Sequence, residues 1–286
     1  FDTNGDPVLH NGYAKFTMKY DERGNKIEEA YFDTDGKPVL NKDGYAGLTM
    51  QYDERGNKIE QAYFDTNGDP VLHNGYAKFT IKYDERGNKI EQAHFGVDGK
   101  LTLDKDGCAR FTIAYDGRGN KIEEAYFYTN GKPVLYDGYA KLTMKYDERG
   151  NEIERAYFDT DGKPTFHKNG YAGICVKYDE RGNRIEQAYF DTYGKPILLK
   201  NGYAKFTMKY DERGNKIEQA YFGTDDKPAL CQDGYARLDM KYDERGNKIK
   251  ELYFGTDGKP VQMKNGVSRT TIKYDGRGNM IEIACL

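Results

Sequence analysis

Tryptophan is absent from this 286-residue chain, and only four cysteines and four histidines occur. No apolar run is long enough to span a bilayer, so membrane insertion through a helix is not expected. Leu, Ile, Val and Phe together make up 51 of the 286 residues, about 18%. A chain of high net charge would stay disordered at that level. Here the net charge is only −3, and 26 tyrosines add large amphipathic surface. An ordered but thin, tyrosine-packed structure is therefore expected. Charged residues make up 32% of the chain with nearly balanced signs. Without a basic stripe to follow a polyanion, nucleic acid is not expected as a partner. The cysteines fall at four unrelated places in the pattern below, which argues against a disulfide framework or zinc site built on regular spacing. The compartment stays open.

What the chain does have is repetition. The stretch "YDERGNKIEEAYFDTDGKPVL" (20–40) returns almost word for word. Its Tyr-Asp pair heads nine copies, at residues 20, 52, 83, 115, 146, 178, 210, 242 and 274, after a partial first unit at 1–19. A period of 31–32 residues marks a row of units rather than one large core, each packing on its neighbours. Residues 1–286 read as a single tandem array. The two short steps lose a residue at the same place, where "LHNG" (72–75) and "LYDG" (135–138) replace "LNKDG" (40–44). A deletion tolerated there marks a loop tip. The start in mid-repeat suggests an excerpt of a longer array, so any signal peptide could lie outside it.

Within a unit, "YAKFTMKY" (13–20) alternates. Ala14, Phe16, Met18 and Tyr20 fall on one face and Tyr13, Lys15, Thr17 and Lys19 on the other, which is the strand signature. "DERGN" follows as a short hairpin loop, with Gly24 at its left-handed position. "KIEEAYF" (26–32) is the return strand, although its alternation is less clean. "DTDGKPVL" (33–40) is a second turn and a short extended piece that Pro38 keeps out of a central strand. No segment has a capped helical period. Nine hairpins give about eighteen strands, which at about 4.8 Å each would run roughly 85 Å. Accumulated twist then predicts an open, right-handed β superhelix, solenoid-like in its repetition. The alternative is a closed, propeller-like ring, for which a 32-residue unit is short.

Two short stretches carry a family resemblance. "AYFDTDGKPV" (30–39) looks like the "YYFD-x-DGK" hairpins of bacterial cell-wall-binding repeats, the choline- and glucan-binding kind. "YDERGNKIEEAYF" (20–32) resembles the variant MORN-type and YD-type hairpin repeats of bacterial surface proteins and toxins. The resemblance implies an all-β tandem array used for binding or display, outside or on the surface of a bacterium. The choline pocket of such repeats is an aromatic cage with Trp at its heart. This chain has no Trp and a longer period, so no family site residue carries over.

The candidate chemistry is sparse. "DTDG" has the oxygens of a calcium loop, but its first carboxylate is missing in four of nine copies and no bidentate Glu stands at the right distance. An Asp/Gly turn explains it better, and neither metal nor cofactor is expected. Glu28 and Arg23 recur through the copies, with Lys250 interrupting the Glu series. Catalytic carboxylates form one asymmetric pair with separated pKa values. Nine equivalent copies point instead to Arg–Glu ion pairs between neighbouring hairpins. His10, His73, His94 and His167 have no nucleophile at a consistent register. An enzyme is not expected within these residues, though the array could be the targeting arm of one.

The tyrosines remain. The "YD" column is complete in nine copies and should be core, and the "AYF" column keeps seven. The "GYA" column comprises Tyr13, Tyr45, Tyr76, Tyr139, Tyr171, Tyr203 and Tyr235. By the alternation these seven share a face with Lys and Thr and should form an exposed stripe, candidate ligand-binding residues. Rigid, amphipathic rings suit binding surfaces. The sequence thus leads to a non-enzymatic module that binds a carbohydrate or an extended polypeptide multivalently. The alternative is a structural stalk or spacer, with its rings packed away. Uncapped repeats could also associate end to end.

Overall fold

The computed structural model describes residues 8–286, so the beginning of the partial first unit, residues 1–7, lies outside the described residues. The architecture is all-β: eighteen antiparallel strands form nine hairpins, and no helix occurs among the described residues. The chain divides into two compact units, Phe1–Tyr136 and Asp137–Leu286. The first holds hairpins one to four, at 15–32, 47–64, 78–95 and 110–127; the second holds hairpins five to nine, at 141–158, 173–190, 205–222, 237–254 and 269–285. Within each unit every hairpin pairs with the next in chain order. Among the described residues the first strand pairs with the last in neither unit, so each sheet is open rather than a ring.

Hairpin one shows why the sequence folds this way. Strand β1 (Lys15–Tyr20) turns through Asp21–Asn25 into β2 (Lys26–Phe32). Gly24 takes a φ of 84°, a backbone region that an L side chain rarely adopts. Asp21 Oδ1 accepts the N–H groups of Arg23 (2.9 Å) and Asn25 (2.8 Å), and Asp21 Oδ2 accepts the Asn25 side-chain amide at 2.9 Å. These bonds to the ionised form hold the Asp21 carboxyl below its usual range, the Asn25 side chain contributing most. The second turn repeats the device, with Asp33 Oδ1 accepting from Asp35 and Lys37. Asp33, a calcium candidate by sequence, thus ties its own loop together.

Register explains the imperfect alternation of the return strand. Lys19 faces Glu28 while Tyr20 faces Lys26, so Ile27 is an extra residue in a β-bulge. Residues 26 and 29 would point to opposite faces of a regular strand. The bulge brings them together, and Lys26 pairs with Glu29 across it. In hairpin five the charges are exchanged: Arg155 donates to Glu152 at 2.8 and 2.7 Å. The ion pair survives the reversal, so the contact, rather than either residue, is what recurs.

The shortened copies keep the hairpin by changing turn type. His73 and Tyr76 exchange backbone hydrogen bonds around Asn74 (φ 53°) and Gly75 (φ 93°). Two successive left-handed residues make a type I′ turn, the favoured two-residue hairpin loop. Pairing is deeper within a hairpin than between hairpins. Six residue pairs join the strands of hairpin one, whereas three join it to hairpin two. Side chains must therefore supply much of the cohesion between repeats.

Candidate functional site

The tyrosine columns exchange the roles that strict alternation assigns them. The GYA rings do not form an exposed stripe: Tyr45, Tyr139 and Tyr235 retain 8%, 8% and 7% exposure, and Tyr13, Tyr76, Tyr171 and Tyr203 are half-buried. The cause lies just before the strand. Pairing within hairpin one starts at Lys15, and the backbone bends at Ala14, so Tyr13 swings onto the face of Phe16. The two rings meet edge to face at 5.9 Å. The same contact recurs in Tyr76–Phe79 and Tyr203–Phe206, at 6.0 Å each.

On that face GYA and AYF tyrosines alternate in a ladder. Successive rings in the first unit run Tyr13–Tyr31–Tyr45–Tyr63–Tyr76, with centroids 4.8, 5.9, 5.0 and 6.1 Å apart. Tilted and edge contacts at these distances match the preferred geometry of aromatic quadrupoles. The AYF hydroxyls are satisfied on their own strand: Gln61 Nε2 donates to Tyr63 Oη at 2.8 Å, and Tyr126 Oη donates to Glu124 at 2.7 Å. Burial pushes the phenols up, Tyr157 and Tyr189 to about 12.

The YD tyrosines, expected in the core, are half-buried from Tyr52 onward and several of them act as clamps, while Tyr20 is exposed. Tyr52 Oη donates to the Lys26 carbonyl of the preceding hairpin at 2.9 Å, and Tyr83 and Tyr242 do the same to Lys58 and Lys216 at 2.9 Å. The accepting carbonyl sits at the bulge, where the sheet ladder leaves it available. The expected Arg–Glu pairing is likewise replaced. Arg23, Arg55 and Arg181 each donate to a backbone carbonyl in the next hairpin's turn, those of Glu54, Glu85 and Glu212. Six members of the Glu28 column instead pair with lysine across their own hairpin, as in Lys19–Glu28 at 2.8 Å and Lys82–Glu91 at 2.9 Å.

The remaining candidates fall into this framework. His73 packs on Tyr45 and Tyr63, and His167 stacks on Tyr157 at 4.9 Å. His94 occupies an AYF position and stacks on Tyr76 at 4.6 Å. His94 Nδ1 donates to the Cys108 carbonyl at 3.1 Å, and Gln92 Nε2 donates to His94 Nε2 at 2.9 Å. Both ring nitrogens are thus committed. His10 lies in an antiparallel bridge with Tyr13. All four cysteines are free thiols. Cys108 is buried at a GYA position, and burial pushes its thiol up. Cys108 and His94 border a cavity of about 420 Å³ with Tyr76, Asp104, Tyr126 and Tyr136.

The opposite face carries a feature that sequence reasoning missed. Lys15 lies directly across from Phe32, and its ammonium stands 5.8 Å from the ring centroid. Five other hairpins repeat this cation–π contact, from 5.4 Å at Lys78–Phe95 down to 4.2 Å at Arg237–Phe254. Gly47 and Gly173 occupy the cationic position in hairpins two and six, across from Phe64 and Phe190. The alternation Lys, Gly, Lys, Arg, Lys, Gly was legible in the sequence. Its meaning needed the strand register, which places residue 15 beside residue 32.

No family model matches the chain, and no curated protein matches it. Among solved structures, it is similar to a crystal structure of TcdB2-TccC3-Cdc42, with 12% identity and a TM-score of 0.26 over 94% of this chain and 18% of that one. A TcdB2-TccC3 structure without the hypervariable C-terminal region gives 13% identity and a TM-score of 0.17, again over 94% of this chain and 19% of that one. The chain therefore spans about a fifth of the length of these structures. A porin-like protein from Bacteroides uniformis gives 10% identity and a TM-score of 0.29, over 94% of this chain and 92% of that one. These scores place the chain in no particular family.

Proposed function

We propose that these residues form a non-enzymatic structural module, a spacer whose repeats set its length. The observation that carries this reading is the burial of the GYA tyrosines in the ladder. Rings expected to face a ligand are used to join one hairpin to the next. The charged groups support the same reading. The recurring arginines of the turns and most glutamates of the Glu28 column are engaged in equivalent contacts from hairpin to hairpin, rather than in one asymmetric acid–base pair in a cleft among the described residues.

The competing reading is multivalent binding of a carbohydrate or an extended polypeptide along a tyrosine-lined surface. A glycan and peptidoglycan array separates the two, using the intact chain and a variant with all seven GYA tyrosines changed to Ser. Circular dichroism and thermal melting report whether the variant folds. The spacer reading expects no binding by the parent and severe destabilisation of the variant. Specific binding by the parent, lost in a variant that remains folded, would transfer those rings to a ligand site and end the spacer reading.

A further inference from the structure

Hairpins two and six differ from the others in three connected ways. Their Phe64 and Phe190 rings have no cation over them among the described residues, because Gly47 and Gly173 replace the lysine or arginine that supplies one elsewhere. Among the described residues the neighbouring glutamates keep only the lysine of their own hairpin, Lys19 on Glu28 at 2.8 Å and Lys145 on Glu154 at 2.9 Å. In two regular copies the same cation reaches the Glu of the preceding hairpin, Lys78–Glu60 at 3.1 Å and Arg110–Glu91 at 3.2 Å, while Lys205 and Arg237 pair with Asp226 and Asp239. Glu28 and Glu154, which precede the glycine copies, have side chains 37% and 39% exposed, against 23% for Glu60 and 17% for Glu91. Finally, cavities open at both places, of about 360 Å³ beside Gly47 and about 310 Å³ beside Gly173.

The two cavities have corresponding linings. Phe32, Phe64, Glu28 and Asp65 border one; Phe158, Phe190, Glu154 and Asp191 border the other. Arg155, the one cationic residue lining either, has its side chain held by Glu152 through two hydrogen bonds. Each cavity thus offers an aromatic face beside carboxylates, at the spot that six other hairpins fill with their own Lys or Arg. We propose that these are two receptor sites for a cationic side chain, lysine or arginine, of an extended polypeptide partner. The chemistry follows from the six internal examples. An ammonium or guanidinium stands over the phenylalanine in all six, and in four of them a carboxylate pairs with it, Glu60, Glu91, Asp226 or Asp239. A single such contact is weak, and two on one chain would gain through effective concentration where one partner reaches both. The proposal is separate from the spacer reading, which stands if these sites prove empty.

The test uses the full chain with isotope-labelled phenylalanine, titrated by NMR with an end-blocked Gly-Gly-Lys-Gly-Gly peptide. Its uncharged counterpart, with norleucine in place of lysine, is the control. Saturable shifts of Phe64 and Phe190 are expected with the lysine peptide only, while the six capped phenylalanines stay still. Gly173→Lys should supply the missing cation internally. Its added Cβ would stand 3.2 Å from the Arg155 carbonyl, a smaller adjustment than the 3.0 Å at Gly47. This variant should lose the Phe190-site response, keep the Phe64 response and melt higher than the parent. If it does not fold, Phe190→Leu serves instead and should weaken binding at that site about three- to tenfold. Equal shifts with the norleucine peptide, or none at Phe64 and Phe190, would overturn the proposal. So would an unchanged lysine response in a folded Gly173→Lys chain.

Discussion

In the second unit the tyrosine ladder is continuous. Tyr139, Tyr157, Tyr171, Tyr189, Tyr203, Tyr221, Tyr235 and Tyr253 follow one another with centroids 4.7–6.2 Å apart. In the first unit the series passes from Tyr76 to His94 and then meets Cys108, which has no ring to carry it to Tyr126. The cavity of about 420 Å³ marks the gap. Around it the backbone of hairpin four keeps all six of its residue pairs. The difference separates two sources of cohesion. Hairpins are made by their own turns and cross-strand bonds, while the rings decide how firmly one hairpin holds the next. A lost ring therefore weakens one interface and leaves the repeat intact, as expected of nearest-neighbour stability.

Alkaline titration should have the largest effect, loosening both ladders and separating the units by how far the opening spreads. Free tyrosine ionises near pH 10, whereas burial raises Tyr157, Tyr189 and Tyr253 to about 12 and lifts Tyr221 and Tyr235, and in the first unit it lifts Tyr31, Tyr63 and Tyr76. The fold holds the neutral phenol, so its contribution is complete below about pH 10 and is lost as pH rises towards about 12. A two-unit shift corresponds to about 2–3 kcal/mol for each such ring. Tyrosinate absorbance and hydrogen exchange should show the second unit opening cooperatively over that window, and opening in the first unit stopping at the Cys108 gap. Uniform opening in both would remove the distinction.

Breaking the continuous ladder should have the next largest effect. Tyr157, at 2% exposure, is among its most buried rings. Tyr157→Ala should cost about 3–5 kcal/mol, the range for deleting a buried aromatic ring. Hydrogen exchange would place that loss in hairpins five and six. Restoring the first unit's ladder should have the smallest effect. Cys108→Tyr supplies the missing ring to an existing cavity and should stabilise hairpins three and four by about 0.5–2 kcal/mol. A lower melting temperature would mean that His94 and Asp104 have closed around the smaller side chain.

Much of the fold was legible in the sequence because its causes are local. The 31–32-residue period, the left-handed glycines, the Asx-bonded loops and the strand alternation each act within a few residues of their own position. These features determined nine antiparallel hairpins in series. The side that each tyrosine column would take was decided only in three dimensions. The bend at Ala14 occurs where pairing ends and turns Tyr13 towards the core face, while the bulge at Ile27 sets Lys26 beside Glu29. The clamps from Tyr52 to the Lys26 carbonyl and from Arg23 to that of Glu54 depend on a neighbouring hairpin, about one repeat away in sequence. The cation sites were hidden for the same reason. A glycine at position 47 reads as a weak strand residue until the register sets it opposite Phe64 and reveals which charge is missing. Sequence by itself determined the unit, because turn and strand preferences are local. Tertiary structure decided the faces and the vacancies, because both are set by what the next unit places against them.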